Sequence, residues 1–289
     1  MSTPPFLKLP GCARPLRLTT PRGEFAALRS DPAGSPLGTA LLVPGYTGSK
    51  EDFIALLEPL AEAGYRVVAY DQRGQHQSGG PLDDPAPYAV AELGADVRAL
   101  GELLAGGGPL HLLGHSFGGH VVREALLGAV GPQPWDSLTL LSTGPAAIDP
   151  SEAARTKLLV DALATMDLES IWQVLQQMEE GSGDPDRRPA PEVARFLHER
   201  WLGNVPQALI TMGGHLISAP DRVDELAAAT PVLPKLVLSG VRDYAWPVEE
   251  QSRMARRLGA LRVVIDDAGH SPNAEQPAAT AAALARFWA

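Results

Sequence analysis

The residue pattern with the clearest chemistry is a serine flanked by glycines, in the segment Gly114–Gly118 (GHSFG). It follows the apolar run Leu110–Leu113 and precedes a helix-like pattern over Gly118–Leu127. In that context the pattern G-x-S-x-G is typical of a nucleophile elbow, a sharp strand-to-helix turn that exposes the serine hydroxyl. Because a serine hydroxyl is a weak nucleophile without a base, the pattern predicts that Ser116 is a nucleophile with a histidine brought beside it.

The chain has seven histidines, and His270 is the best candidate for that base. It lies in Gly269–Pro272, on a predicted loop directly after the last strand pattern, where a site at a sheet edge needs it. His111 and His120 occupy positions more typical of structural residues, within a strand and a helix pattern. His115 adjoins the serine but is expected to point away from it at such a turn.

The base in turn needs a carboxylate to orient it, and Asp243 is the strongest candidate. It follows the strand pattern Lys235–Leu238, so it is expected at the same carboxyl edge of the sheet as Ser116. Three other aspartates compete less well, because they end the strand just before His270 or lie further into the following helical region: Asp149, Asp266 and Asp267.

The elements that must position these residues alternate between short apolar runs and helix patterns. Two β-like stretches, Ala13–Thr20 and Glu24–Arg29, are predicted to form an antiparallel hairpin. The later runs are apolar throughout, as in strands covered by helices on both faces: Thr39–Val43, Arg66–Tyr70, Leu110–Leu113, Leu138–Leu141, Lys235–Leu238 and Arg262–Ile265. The order predicts an α/β fold with a mostly parallel central sheet flanked by helices.

The strand–helix rhythm breaks between Thr143 and Pro234. Helix patterns dominate this region: Ala153–Leu163, Ser170–Glu180, Pro191–Leu202, Val205–Ile217 and Arg222–Ala229, with a flexible link at Gly181–Pro191. We therefore expect residues 1–143 and 231–289 to form the core domain. Residues 144–230 are expected to form a helical cap inserted after the sixth strand.

Composition narrows the function classes. The chain has 289 residues, 45% of them hydrophobic and 20% charged, with a net charge of −10 that disfavours nucleic acid and anionic membranes as partners. No apolar run approaches the roughly 18 residues of a membrane span, and the first residues do not resemble a secretory signal, so a cytoplasmic location is expected. The single cysteine, Cys12, excludes an intrachain disulfide, and no metal or cofactor motif is found, so none is predicted. Oligomeric state stays open.

Five segments together resemble the α/β-hydrolase fold superfamily over nearly the whole chain: Pro44–Ser49, Tyr70–Gly74, Gly114–Gly119, Gly240–Asp243 with Pro247, and Gly269–Pro272 with Glu275 and Pro277. The order Ser116, Asp243, His270 matches that superfamily's nucleophile, acid and base. The resemblance implies an oxyanion hole made by the backbone N–H groups of Tyr46 and Phe117. The chain departs from the pattern at Pro44, where histidine is usual, and at His76, where glycine is usual.

The resemblance implies a serine hydrolase of carboxylesterase or lipase type, acting through an acyl-enzyme on a small to medium lipophilic ester. Aromatic and methionine residues are the expected pocket walls: Tyr244 and Trp246 with Tyr46 and Phe117 from the core, and Trp172, Met178, Phe196, Trp201 and Met212 from the cap. For the cap residues, packing is the commoner role. The alternatives are a monoacylglycerol lipase-like enzyme, a carbon–carbon bond hydrolase on the same triad, and a ligand-binding receptor with slow turnover.

Overall fold

The central feature of the fold is an eight-stranded sheet, seen in a computed structural model that describes residues 2–181 and 189–289. Its strands are β1 (Ala13–Thr20), β2 (Gly23–Ser30), β3 (Gly38–Val43), β4 (Tyr65–Tyr70), β5 (Leu110–His115), β6 (Ser137–Leu141), β7 (Lys235–Gly240) and β8 (Leu261–Ile265). They are ordered β1-β2-β4-β3-β5-β6-β7-β8 across the sheet. The pairs β1–β2 and β2–β4 are antiparallel and the others parallel, so the predicted mostly parallel α/β sheet is confirmed.

Helices cover both faces of this sheet. In chain order they are α1 (Ile54–Glu62), α2 (Val90–Leu104), α3 (Phe117–Leu127), α4 (Pro150–Leu163), α5 (Leu168–Gly181), α6 (Pro191–Leu202), α7 (Pro206–Ser218), α8 (Val223–Ala229), α9 (Val248–Leu258), α10 (Pro272–Glu275) and α11 (Pro277–Trp288). Helices α4–α8 follow β6 and form the cap, as predicted. The domain boundaries at 143/144 and 230/231 stay predictions, and most of the link predicted at Gly181–Pro191 lies outside the described residues.

Strand β3 explains why the strand patterns are apolar throughout. Leu41 and Val43 belong to the apolar core on one face of the sheet, and Ala40 and Leu42 belong to the core on the other. Successive side chains of a strand point to opposite faces, so a strand covered on both faces needs apolar residues at every position. The two cores hold the carboxyl ends of β5, β7 and β8 in fixed positions relative to one another.

A buried ion pair joins the cap to the core. Arg200 on α6 donates from Nη1 to Asp52 Oδ1 at 2.7 Å, and both side chains are fully buried. Arg200 Nη2 also donates to the carbonyl oxygen of Ser2 at 2.6 Å. Removing one partner of such a pair leaves an uncompensated buried charge, so the pair fixes where α6 sits on the core.

The cap has an apolar core of its own, formed by α4 to α7, with Ile171, Trp172, Leu197, Trp201 and Leu209 among its buried members. Its packing therefore does not depend only on the sheet below it.

Across residues 2–181 and 189–289, no helix is both long and apolar enough to cross a membrane.

Candidate active site

Ser116 lies at the turn between β5, which ends at His115, and α3, which begins at Phe117. Its backbone has φ 55° and ψ −123°, a strained conformation that non-glycine residues rarely adopt. The flanking glycines make the turn sterically feasible. A β carbon on Gly114 would collide with the carbonyl of Gly118, and one on Gly118 would collide with the carbonyl of Val43.

The three side chains singled out in the sequence lie in one hydrogen-bonded line. Ser116 Oγ is 3.0 Å from His270 Nε2, and His270 Nδ1 is 2.8 Å from Asp243 Oδ1. The carboxylate accepts a hydrogen bond from the Nδ1–H of His270, which leaves the Nε2 lone pair facing the serine hydroxyl. An imidazole held in this tautomer can take the serine proton, so the arrangement has the geometry for nucleophilic attack on a carbonyl carbon.

The carboxylate of Asp243 is fully buried but well supplied with donors. Its Oδ1 accepts hydrogen bonds from the backbone N–H of Ala245 at 2.9 Å and of Trp246 at 3.3 Å. Its Oδ2 accepts one from Gln251 Nε2 at 2.9 Å. These hydrogen bonds fix the orientation of the carboxylate toward His270.

The loop that carries His270 is held by two side chains. Glu275 accepts hydrogen bonds from the backbone N–H groups on both sides of the histidine, of Gly269 at 2.5 Å and Ser271 at 2.9 Å. His115 Nε2 lies 2.9 Å from the carbonyl oxygen of His270. Burial lowers the pKa of His115 to about 3, so this residue is neutral and donates through Nε2. Its sequence position beside the serine did not indicate that role.

The backbone of Gly45 and Tyr46 passes close to the serine. A β carbon on Gly45 would be 3.0 Å from Ser116 Cβ. The Gly45 carbonyl accepts hydrogen bonds from Gln75 Nε2 at 3.2 Å and from the Gly48 N–H at 3.2 Å. Because the C=O and N–H of a trans peptide point in opposite directions, these bonds turn the Tyr46 N–H away from Gln75. Sequence reasoning did not identify Gln75.

The two departures from the superfamily pattern have structural explanations. His76 has φ 46°, within the left-handed region that glycine adopts most readily. Its ring packs edge-on against Phe196 with 5.5 Å between centroids. The carbonyl of Pro44 accepts a hydrogen bond from Gln72 Nε2 at 2.8 Å, which holds this loop although the usual histidine is absent.

A cavity of about 140 Å³ lies beside Ser116. Residues from the core loops, the cap and the amino-terminal segment line it: Ser2, Gly45, Tyr46, Thr47, Asp52, His115, Ser116, Ile148, Glu152, Thr156, Leu216, Tyr244, Ala245, Trp246 and His270. Its walls mix polar and apolar groups, whereas a mostly apolar pocket was expected from the sequence. A wider groove of about 620 Å³, lined by Arg242, Tyr244 and His270 among others, adjoins it.

The predicted pocket residues divide between core and cap. Tyr46, Tyr244 and Trp246 line the cavity, and Tyr244 also lines the groove, with its ring centroid 4.7 Å from that of His270. The cap residues Trp172, Trp201 and Met212 are not in its lining: they are buried in apolar clusters, and Met178 is 68% exposed. The helical spacing of Trp172, Trp201 and Met212 arises from packing, the alternative that the sequence already favoured for them.

In the described part of the chain, no group of three or more His, Cys, Asp or Glu side chains is arranged to hold a metal ion. His120 and His215 do come together, with 3.1 Å between Nδ1 and Nε2, and the guanidinium of Arg123 donates to the same Nδ1 at 3.0 Å. The His120 Nδ1 lone pair is therefore already occupied by a cationic donor, which disfavours a metal ion at this nitrogen. These histidines instead join α3 of the core to α7 of the cap.

A mostly parallel sheet that carries a serine at a strand-to-helix turn, with an imidazole and a carboxylate aligned behind it, defines the α/β-hydrolase class. The family described as "Alpha/beta hydrolase family" matches residues 40–283, and the chain belongs to this family. Proteins named as hydrolases are among those that this chain resembles.

Relatives with names show how varied this class is. A protein of Variovorax paradoxus that carries the name carbamate hydrolase RutD is 43% identical over 88 residues, 30% of this chain and 32% of that protein. A proline iminopeptidase of Lactobacillus helveticus is 38% identical over 104 residues, 36% of this chain and 35% of that protein. These matches span about a third of each curated relative. A hydrolase structure from Pseudomonas aeruginosa is 26% identical, with a TM-score of 0.73 and coverage of 95% of this chain and 98% of that one.

Proposed function

We propose that this hydrolase cleaves a carboxylic ester of a small substrate through an acyl-enzyme on Ser116, with His270 as general base and Asp243 as its orienting acid. The observation that carries the proposal is the hydrogen-bonded line of Ser116 Oγ, His270 and Asp243, with links of 3.0 and 2.8 Å. A serine with its hydroxyl in this line is the reacting group of acyl transfer.

In the acylation step, the Ser116 hydroxyl proton passes to His270 Nε2 as Oγ forms a bond to the ester carbonyl carbon. The carbonyl electron pair moves onto oxygen, and the N–H groups of Tyr46 and Phe117 are proposed to bind the resulting oxyanion. Phe117 is the first residue of α3, so its N–H has no acceptor within the helix and is free for this purpose. Each such donor contributes about 3 kcal/mol to transition-state stabilisation.

The intermediate then expels the alcohol. The bond between the carbonyl carbon and the alcohol oxygen breaks, and His270 returns its proton to that oxygen. In deacylation, His270 takes a proton from water as the water oxygen attacks the acyl carbon, and Ser116 recovers its proton when the carboxylic acid leaves. Asp243 stabilises the imidazolium that forms in both half-reactions without becoming protonated itself.

The cavity volume supports the short end of the substrate range. A space of about 140 Å³ next to Ser116 suits a short acyl group better than a long lipid chain, which disfavours a monoacylglycerol lipase-like role. The mixed polar and apolar wall also favours a more polar substrate than the lipophilic ester expected from the sequence. The aromatic side chains of Tyr244 and Trp246 still provide apolar surface on one side.

Amide or carbamate hydrolysis is a second candidate, because relatives carry the names proline iminopeptidase and carbamate hydrolase. The same triad attacks esters, amides and carbamates, and the difference lies in how well the leaving nitrogen is protonated and positioned. A matched ester and amide of one acyl group distinguish the two reactions.

The test compares wild type with Ser116→Ala on 4-nitrophenyl esters of increasing acyl length and on the corresponding 4-nitroanilides. We expect the highest kcat/KM for a short ester, with activity lost in the variant. Labelling of wild type, but not of the variant, by a fluorophosphonate measures nucleophile reactivity directly. A variant with wild-type rate would refute the nucleophile, and labelling with turnover far below one per minute would favour a receptor. Activity only on a carbon–carbon substrate would favour that alternative.

A further inference from the structure

Glu152 is the charged residue of α4 that faces the active-site cavity. It lines the cavity together with Thr156, which lies one helical turn further along the same face. Its side chain is only 16% exposed, whereas the other charged side chains of α4 point outward: Arg155 is 77% exposed, Lys157 64% and Asp161 58%. A mostly buried carboxylate of a cap helix in the wall of the cavity that also contains Ser116 calls for an explanation in terms of function.

Helix capping does not provide that explanation. Glu152 is the third residue of α4, after the N-cap Asp149, and glutamate at this position commonly reaches back to the backbone N–H of the N-cap. Here the Asp149 N–H instead donates to the carbonyl of Ala245 at 2.8 Å. The Glu152 carboxylate is therefore not used by the helix end.

The cation that pairs with Glu152 is exposed to solvent, whereas the cation that pairs with Asp52 is buried. Asp52, the other acidic residue of the wall apart from the triad, is neutralised by the fully buried Arg200 at 2.7 Å. Glu152 pairs at 2.8 Å with Arg155, but that guanidinium is 77% exposed, so water screens the pair. Among the described residues that line the cavity, none is lysine or arginine.

We infer that Glu152 is a specificity residue that binds a protonated amine on the acyl group of the substrate. The inference rests on the proposed function. A partly desolvated carboxylate attracts a cation much more strongly than an exposed one does, and it repels an anionic acyl group by the same amount.

The amine is assigned to the acyl side by the position of His270. This histidine must deliver its proton to the leaving oxygen, and the wide groove of about 620 Å³ opens beside it. The alcohol can leave through that groove. The acyl group then remains bonded to Ser116 in the smaller cavity, where Glu152 and Thr156 form part of the wall.

The test uses two esters of nearly equal shape, 4-nitrophenyl butyrate and 4-nitrophenyl β-alaninate, in which an ammonium group replaces the terminal methyl group. Each rate is divided by that ester's spontaneous hydrolysis, which removes the inductive effect of the charge. We expect wild type to prefer the β-alaninate, and we expect Glu152→Gln, which keeps the shape and removes the charge, to lower that preference at least about tenfold. Because the preference is a ratio of two rates, any effect that the substitution has on both esters alike cancels.

Glu249→Gln is the matched control, because it makes the same change in net charge on an exposed helix position, where the side chain is 67% exposed. It should leave the preference unchanged. If Glu152→Gln and wild type show equal preference, or if wild type prefers butyrate, the specificity role is refuted while the ester hydrolase stands. If wild type hydrolyses neither ester, the proposed function fails and the specificity inference fails with it.

Discussion

The side chain of Gln75 offers a sharp test of how the Tyr46 N–H, the proposed oxyanion donor, is oriented. Gln75 is fully buried, and its Nε2 donates to the Gly45 carbonyl at 3.2 Å. Gln75→Met keeps a similar volume and removes the donor. We expect the peptide between Gly45 and Tyr46 to lose part of its orientation, so that its N–H meets the developing oxyanion less well.

The size of the effect follows from the number of bonds that hold this carbonyl. Gly48 N–H also donates to it at 3.2 Å and remains in the variant, so the peptide is loosened rather than freed. Complete loss of an oxyanion donor costs about 3 kcal/mol. Losing one of two restraints should cost about 1 kcal/mol of transition-state stabilisation, or roughly a fivefold fall in kcat. KM should stay near its wild-type value, because the interaction strengthens only in the transition state.

Steady-state hydrolysis of a short 4-nitrophenyl ester measures the effect, together with the affinity for an alkylboronic acid, which binds as a tetrahedral anion. Both kcat and this affinity should fall by a similar factor. Gln133→Met is the matched control, since Gln133 makes the same type of bond, to the Leu126 carbonyl at 3.0 Å, at the far end of α3.

Two outcomes would refute the reasoning about Gln75. One is an unchanged kcat in a folded Gln75→Met variant, which would mean that the Gly48 bond alone orients the peptide. The other is an increase in KM with kcat unchanged, which would assign Gln75 to ground-state substrate binding. If the first outcome is accompanied by a lower melting temperature, the role of Gln75 is purely structural.

Three further predictions concern close packing, charge and pH. Gly45→Ala should lower kcat/KM by roughly tenfold to a hundredfold, because the new methyl group would lie 3.0 Å from Ser116 Cβ. Gly11→Ala is the control and should have no effect, because nothing lies within 4 Å of its added methyl group. Equal activities of the two variants would contradict the prediction. Arg200→Met should lower the free energy of unfolding, measured in urea, by about 3–5 kcal/mol, because Asp52 is left buried without its cation. Adding Asp52→Asn should restore part of the lost stability. A smaller loss in the single variant than in the double variant would contradict this explanation. Burial lowers the pKa of His115 to about 3, below its value in the unfolded chain, so protonation at low pH favours unfolding. The free energy of unfolding should therefore be unaffected by His115 above about pH 6.5 and lower by about 2 kcal/mol at pH 5. His115→Gln should make the free energy of unfolding less dependent on pH, and an unchanged dependence would exclude His115 as its cause.

The sheet could be predicted because its strands are buried on both faces. Each of the runs from Thr39–Val43 to Arg262–Ile265 corresponds to a strand, extended in the structure by up to two residues at an end. Parallel strands bring their carboxyl ends to one edge, so residues that follow β5, β7 and β8 had to meet there. The proximity of Ser116, Asp243 and His270 follows from that topology, although their catalytic roles remain the proposal made above.

Helix α9 was not predicted, and the reason is connected to the site. Its buried positions follow helical spacing, but one of them is Gln251, so the apolar stripe reads as the short set Met254, Ala255 and Leu258. A polar residue at a buried position weakens the periodic signal used to recognise a helix. Gln251 donates to Asp243 Oδ2 at 2.9 Å, so the polar residue that weakens the helix pattern is also a contact of the candidate site.

The cavity wall could not be predicted from hydrophobic spacing, because the cap helices have two buried sides. One side packs in the cap's own core, where Trp172 and Trp201 lie, and another faces the serine. Periodicity identifies buried positions but does not tell these two sides apart. What separates them is the docking of the cap on the sheet, which depends on long-range contacts such as that of Arg200 with Asp52. A search for apolar walls also passes over Glu152, the cap residue proposed above to bind an amine of the substrate.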